Sequence, residues 1–231
     1  MMHARPKALA AALLLAAPAA FSPVRAQIAL SEVIVDFQPG KDARQDIEIW
    51  NKSPDRAYVA VEPSEIINPG TSAEARRQDP DPEKLGLLVS PARMILEGGE
   101  RKLLRIAEIA PPTDRERVYR VTVKPVVGPV TSSHSGLKVL VGYDVLVLAR
   151  PAHPQPNVSF SRSGDMATFR NDGNVSVELT DGRQCDASGK ICSDLPGKRL
   201  YAGAQWSEQL QPGRHAEYTL ESPGQSVRKT F

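Results

Sequence analysis

From Gln27 onward the chain runs in short alternations of apolar and polar residues, broken by proline and glycine. IALSEVIVDF, ARQDIEIWN and RAYVAVEPSEII each read as one strand, with QPGKD as the turn between the first two. Residues 68–86, NPGTSAEARRQDPDPEKLG, are polar, charged and proline-rich and predict a long exposed loop. LLVSPARMIL and RKLLRIAEI resume the strands on either side of an EGGE turn, and Pro91 marks an edge or a break. VYRVTVKPVV alternates cleanly, placing Tyr119, Val121 and Val123 on one face.

The longest apolar pattern is SGLKVLVGYDVLVLARP. From Leu137 to Leu148 every odd position is apolar, which predicts a continuous strand of roughly 40 Å, twice the usual length. The even positions begin mixed, with Lys138, Gly142 and Asp144, and end as Leu146 and Leu148. Residues 143–148 are therefore apolar on both faces and read as core. The first half, with Leu137, Val139 and Val141 on one side, exceeds what one sandwich needs. Such an edge is a template for another chain, in a partner or in a second copy.

PAHPQPN, residues 151–157, holds three prolines in seven positions and reads as a stiff hinge. Beyond it lie VSFSR, MATFRN, SVELTD, KRLYAGAQW, HAEYTL and SVRKTF, all strand-like, with NDGN as a hairpin-turn signal. The pattern predicts an all-β protein of two immunoglobulin-like β-sandwiches, residues 27–150 and a smaller 158–231. A single large barrel is the alternative.

Residues 1–26 stand apart. A basic MMHARPK, an apolar ALAAALLLAAPAAF and the small-x-small Val24-Arg25-Ala26 predict a secretory signal peptide cleaved after Ala26. The apolar run is too short for a membrane span, so no stable membrane insertion is expected. Removing this segment takes away Arg5, Lys7 and Arg25 and no acid, leaving 26 basic against 27 acidic residues, net −1. That balance does not point to nucleic acid. Cys185 and Cys192, both in the exported part, predict one disulfide closing a local hairpin over DASGKI. A metal pair is the weaker alternative, since no histidine lies near in sequence.

Chemistry of the catalytic kind is not visible. His3 is in the leader, His134 and His153 are in linkers, and His215 follows a Pro-Gly turn, none at ligand spacing. No G-x-S-x-G, P-loop or G-x-G-x-x-G occurs, and Asp79, Asp81 and Glu83 lack the glycine and terminal glutamate of a calcium loop. The expectation is a binding protein with no cofactor, no metal and no enzymatic activity.

Several stretches, in order, resemble one family: EIINPG at Glu65, GLLVSPARMILEGGERKLLRI from Gly86, ERVYRVTVKP from Glu116, LVGYDVLVLARP from Leu140, and NDGNV before the cysteines. They are similar to the periplasmic chaperones of the chaperone–usher pilus pathway, most closely the class 5 (alpha) fimbrial branch. The resemblance implies two immunoglobulin-like domains in an L or boomerang. It implies a periplasmic location, pilin subunits as partners and delivery to an outer-membrane usher. It also implies a mechanism: pilins lack their last strand, and the chaperone lends one, with Leu137, Val139 and Val141 at the donor positions. Members of the family grip the subunit's terminal carboxylate with an arginine in the first strand and a lysine late in the donor strand. IALSEVIVDF has no arginine, and residues 145–148 hold no lysine. Arg120, Arg105 and Arg150 are the candidate replacements, because a carboxylate needs a charged, directional donor. A secreted two-domain structural or adhesive pilus subunit, using IALSEVIVDF as its own donor, is the competing reading.

Overall fold

The structure is a computed structural model that describes residues 27–126 and 140–231. The expected signal peptide, Leu137 and Val139 all lie outside the described residues. In the first half the elements are β1 (Ile28–Leu30), β2 (Ile34–Phe37), β3 (Arg44–Asn51), β4 (Ala57–Ile67), β5 (Ala75–Arg77), the one-turn α1 (Pro82–Leu85), β6 (Leu87–Ser90), β7 (Arg93–Leu96), β8 (Arg101–Glu108), β9 (Arg117–Val126) and β10 (Tyr143–Ala149). They form two sheets, β1-β3-β8-β6 and β2-β10-β9-β4-β5, with β7 also on β4. Ile47, Ile49, Leu104 and Ile106 from the first sheet meet Val59, Val61, Tyr119, Val121, Val123, Val145 and Val147 from the second, all buried. Strict alternation produces this core, because every second side chain points inward.

The second half contains β11 (Val158–Ser163), β12 (Met166–Asn171), β13 (Val177–Cys185), β14 (Cys192–Asp194), β15 (Lys198–Leu200), β16 (Gln205–Gln209), β17 (His215–Ser222) and β18 (Gln225–Thr230). Its sheets are β11-β12-β16 and β14-β13-β17-β18, with β15 on β13. An aromatic cluster fills it. Phe169 stacks on Trp206 at 5.6 Å and meets Tyr218 edge-on at 5.4 Å. The all-β, two-sandwich expectation holds, and the single barrel does not.

Several local expectations change. IALSEVIVDF is two strands in different sheets: β1 pairs β3, and β2 runs parallel to β10. Ser31 sits at the crossing, where its hydroxyl accepts the Glu48 amide at 2.9 Å. The 68–86 segment is not featureless, because β5 pairs with the end of β4 and Asp81 caps α1 through the Glu83 amide. KRLYAGAQW divides into β15 and β16, which belong to different sheets.

NDGN is not a hairpin turn. It carries the chain from β12 in one sheet to β13 in the other. Two asparagine side chains satisfy the backbone there instead of a ladder. Asn171 donates to the carbonyls of Val175 and Leu200, both at 2.8 Å, and Asn174 donates to those of Asp114 and His153. Gly173 is required by space, since a Cβ would lie 2.2 Å from the Gln155 carbonyl oxygen.

Arg150 ties the two sandwiches together. Its Nε and one terminal nitrogen donate to Asp36 of β2 at 2.7 and 2.8 Å, and the other terminal nitrogen reaches Glu116 and, at 3.0 Å, the Ser176 hydroxyl. Glu116 also accepts the Ser176 amide at 3.1 Å, and its own amide donates to the Asn174 carbonyl. Burial pushes the Glu116 carboxyl up, against the pull of Arg150 and Ser176.

Candidate functional site

The site is the edge of β10 and the sheet face beside it. On one side β10 pairs with β9 over its whole length, Tyr143 to Ala149. On the other, β2 covers only Leu146 to Ala149. The β2-side edge of Tyr143–Val145 therefore has no strand partner among the described residues. Just upstream the predicted continuous strand stops: residues 140–142 are described and lie outside any ladder. With no partner on that edge, nothing holds them extended. Gly142 lets the backbone pass close over β9, where a Cβ would stand 3.0 Å from the Val123 carbonyl oxygen. Val141 is 43% exposed, and Val33 and Ile34, where β2 begins, are 50% and 48% exposed. These side chains form an apolar margin along the open edge.

The second half of the predicted strand is apolar on both faces for a reason the structure supplies. Val145 and Val147 point into the sandwich core. Leu146 and Leu148 point the other way and pack with Ile66, Val118 and Tyr201. Tyr201 belongs to the second half, so this face of the sheet is the floor of a cleft between the sandwiches. Ile34 stands opposite Leu146 in the ladder. A first-strand position and a late position of β10, the two places where the resembling family carries its cations, are thus apolar here.

The cation in this cleft is Arg120. It lies on β9 opposite Leu146, and its terminal nitrogen donates to the Asp144 carbonyl at 3.2 Å. Arg105 lies elsewhere. It is on β8 between the inward Leu104 and Ile106, on the outer face of the opposite sheet, paired in bidentate fashion with Asp46 at 2.8 and 2.7 Å. Arg150 is 6% exposed, with its donors committed to Asp36, Glu116 and Ser176. Of the three candidates only Arg120 faces the cleft with exposed surface.

Two residues that sequence reasoning did not single out complete the cluster. Arg76 of β5 donates to both oxygens of Asp144, one of them at 3.3 Å, and the Thr122 hydroxyl donates to Asp144 at 3.0 Å. Burial alone would raise the Asp144 carboxyl, but the Arg76 and Thr122 hydrogen bonds and both arginine charges outweigh it and hold the carboxyl below its ordinary value. A pocket of 120 Å³ opens here, lined by Arg76, Arg120, Asp144, Glu74 and Tyr201 among others. The one sequence signal was Asp144 itself, an acid set within an apolar strand. Arg76 was hidden in a segment read as solvated loop.

Cys185 and Cys192 are disulfide-bonded, with S–S 2.05 Å, and close the β13–β14 hairpin as expected. Cys185 lies near His215 and Glu217, but a disulfide sulfur offers no thiolate to a metal. Among the described residues no helix is long and apolar enough to cross a membrane.

Fold and site together define a protein of two immunoglobulin-like sandwiches that presents an open strand edge beside a cleft holding arginines. Residues 27–155 match the family of pili and flagellar-assembly chaperones at its PapD N-terminal domain. Two curated relatives come from Escherichia coli, and both are probable fimbrial chaperones called EcpE. That of strain IHE3034 is 30% identical over 174 residues, spanning 71% of this chain and 69% of its own length. That of strain K12 is 27% identical over 228 residues, spanning 93% and 90%. Among solved structures, the class 5 fimbriae chaperone CfaA superposes with a TM-score of 0.66 at 23% identity, covering 88% of this chain and 98% of its own. A chain of the chaperone–tip adhesin complex of CFA/I fimbriae gives 0.63 at 21%, covering 89% and 98%. The chain belongs to the PapD-like pilus-assembly chaperones of the chaperone–usher pathway. That family is a chaperone class and not an enzyme family, and the reading as a pilus subunit falls with it.

Proposed function

We propose that the protein captures pilin subunits in the periplasm by lending them a strand, and passes them to an outer-membrane usher. Residues 27–150 are the capturing unit, 151–157 the connection and 158–231 the second sandwich. The observation that carries the reading is the uncovered edge of β10 at Tyr143–Val145, continued by an exposed Val141. A subunit lacking a strand exposes unpaired backbone groups and an open core. Residues 137–145 can supply both the ladder and the apolar side chains, Leu137, Val139 and Val141 being the inserted ones. Each such side chain, fully buried, contributes about 1.5–3 kcal/mol. The subunit's terminal carboxylate is held by Arg120, at the foot of the cleft where β10 returns to its own sandwich.

Capture of a co-expressed fimbrial subunit by the Val139→Asp/Val141→Asp variant tests this. The variant should retain the wild-type melting temperature and lose co-purification of the subunit, because two charges cannot enter apolar pockets. Normal capture by a folded double variant would overturn the donor assignment.

A further inference from the structure

Arg76 makes an unusual reach. β5, which carries it, is separated from β10 in the sheet by β4 and β9, yet its guanidinium grips the Asp144 carboxylate in bidentate fashion. Arg120 adds its charge, with Nε 3.9 Å from the same carboxylate, and Thr122 donates a further hydrogen bond to it. The result is a two-arginine carboxylate site with a carboxylate already in it. Glu74 lines the same pocket, but its side chain accepts the Gly70 amide at 2.6 Å. The resident acid sits at the start of β10, three residues after Val141.

We propose that Asp144 is a built-in occupant of the Arg76–Arg120 site, which the terminal carboxylate of the client chain displaces. This rests on the reading of Arg120 as the anchor. Seating the client exchanges one carboxylate for another, so the arginines are never left without a counter-charge and an uncharged chain end gains nothing from them. The exchange also releases Asp144 from the 68–86 segment, loosening the strand start just as residues 137–145 engage the subunit. Arg76 thereby becomes a second anchoring residue, delivered from a stretch that reads in sequence as solvated loop.

The pair is half exposed, so the resident is weakly held, and removing it should tighten binding of a carboxylate about two- to five-fold. An acetylated hexapeptide of alternating Val and Thr, with a free C-terminal carboxylate, and its C-terminal amide serve as probes. Binding is read from the side-chain Nε–Hε NMR signals of Arg76 and Arg120. The acid should bind the wild-type protein and the amide should not shift these signals. Asp144→Asn should tighten acid binding by the stated factor, and Glu62→Gln, which removes a charge elsewhere on the same face, should not. Arg76→Gln should weaken acid binding without lowering the melting temperature. If Arg120→Ala abolishes the preference for acid over amide while Asp144→Asn and Arg76→Gln leave the acid affinity unchanged, the anchor stands and the resident carboxylate is overturned. If acid and amide behave alike in every protein, or neither binds, the anchor reading itself fails.

Discussion

Single side chains set the electrostatic character of both halves. In the second sandwich Glu217 accepts from Arg183 at 2.8 Å and Arg228 at 3.1 Å and lies 3.2 Å from His215. These partners hold its carboxyl down to about 2, from an ordinary 4.5. A carboxyl depressed by folding contributes stability that is present above its ordinary value and lost as the pH falls through its folded one. Thermal melts between pH 7 and 2 should therefore show a decline below about pH 4.5 that is shallower in Glu217→Gln, with that variant less stable near neutrality. A wild-type and a variant curve of the same acid slope would show that the cluster contributes nothing. The buried asparagines follow a different logic. Asn51 and Asn171 each donate to carbonyls at a chain crossing, one in each sandwich. Their role is to satisfy backbone where strands part, and their position is legible only once the crossing is known.

Strands were legible where alternation alone decides them. ARQDIEIWN, VYRVTVKPVV and HAEYTL appear almost as read, because alternate side chains enter a core. What the pattern could not give is which sheet a strand joins. IALSEVIVDF has uniform β character, yet it changes sheet at Ser31–Val33, a topological fact that periodicity does not encode. NDGN carries strong turn chemistry, but its asparagines serve a crossover, so turn propensity was right about the bend and wrong about the partner. The long apolar pattern was legible as excess. Its described part divides at Gly142, with an ordered β10 after it and an exposed, unpaired Val141 before it. The donor half acquires a ladder only when a second chain provides one. The arginine cluster was half legible: Arg120 was a candidate by its face on β9, whereas Arg76 depends on the fold carrying β5 back toward the cleft.

At the scale of the molecule, Arg150 couples the sandwich that presents the edge to the one that walls the cleft. Its burial, together with that of Glu116, makes the pair costly to break, since removing one charge leaves the other uncompensated. Arg150→Met should lower the free energy of unfolding by about 3–5 kcal/mol in urea titrations. Arg150→Met/Glu116→Gln should recover part of that loss, whereas an unchanged unfolding midpoint in the single variant would deny the coupling. The fold otherwise leaves one strand edge open, and the central claim is that a subunit closes it. Hydrogen–deuterium exchange of the backbone amides of residues 140–145, with and without a captured fimbrial subunit, measures this directly. Strong protection of these amides in the complex, with the edge strands of the second sandwich unchanged, is the predicted result. A complex in which residues 140–145 exchange as fast as in the protein alone would contradict strand donation along β10.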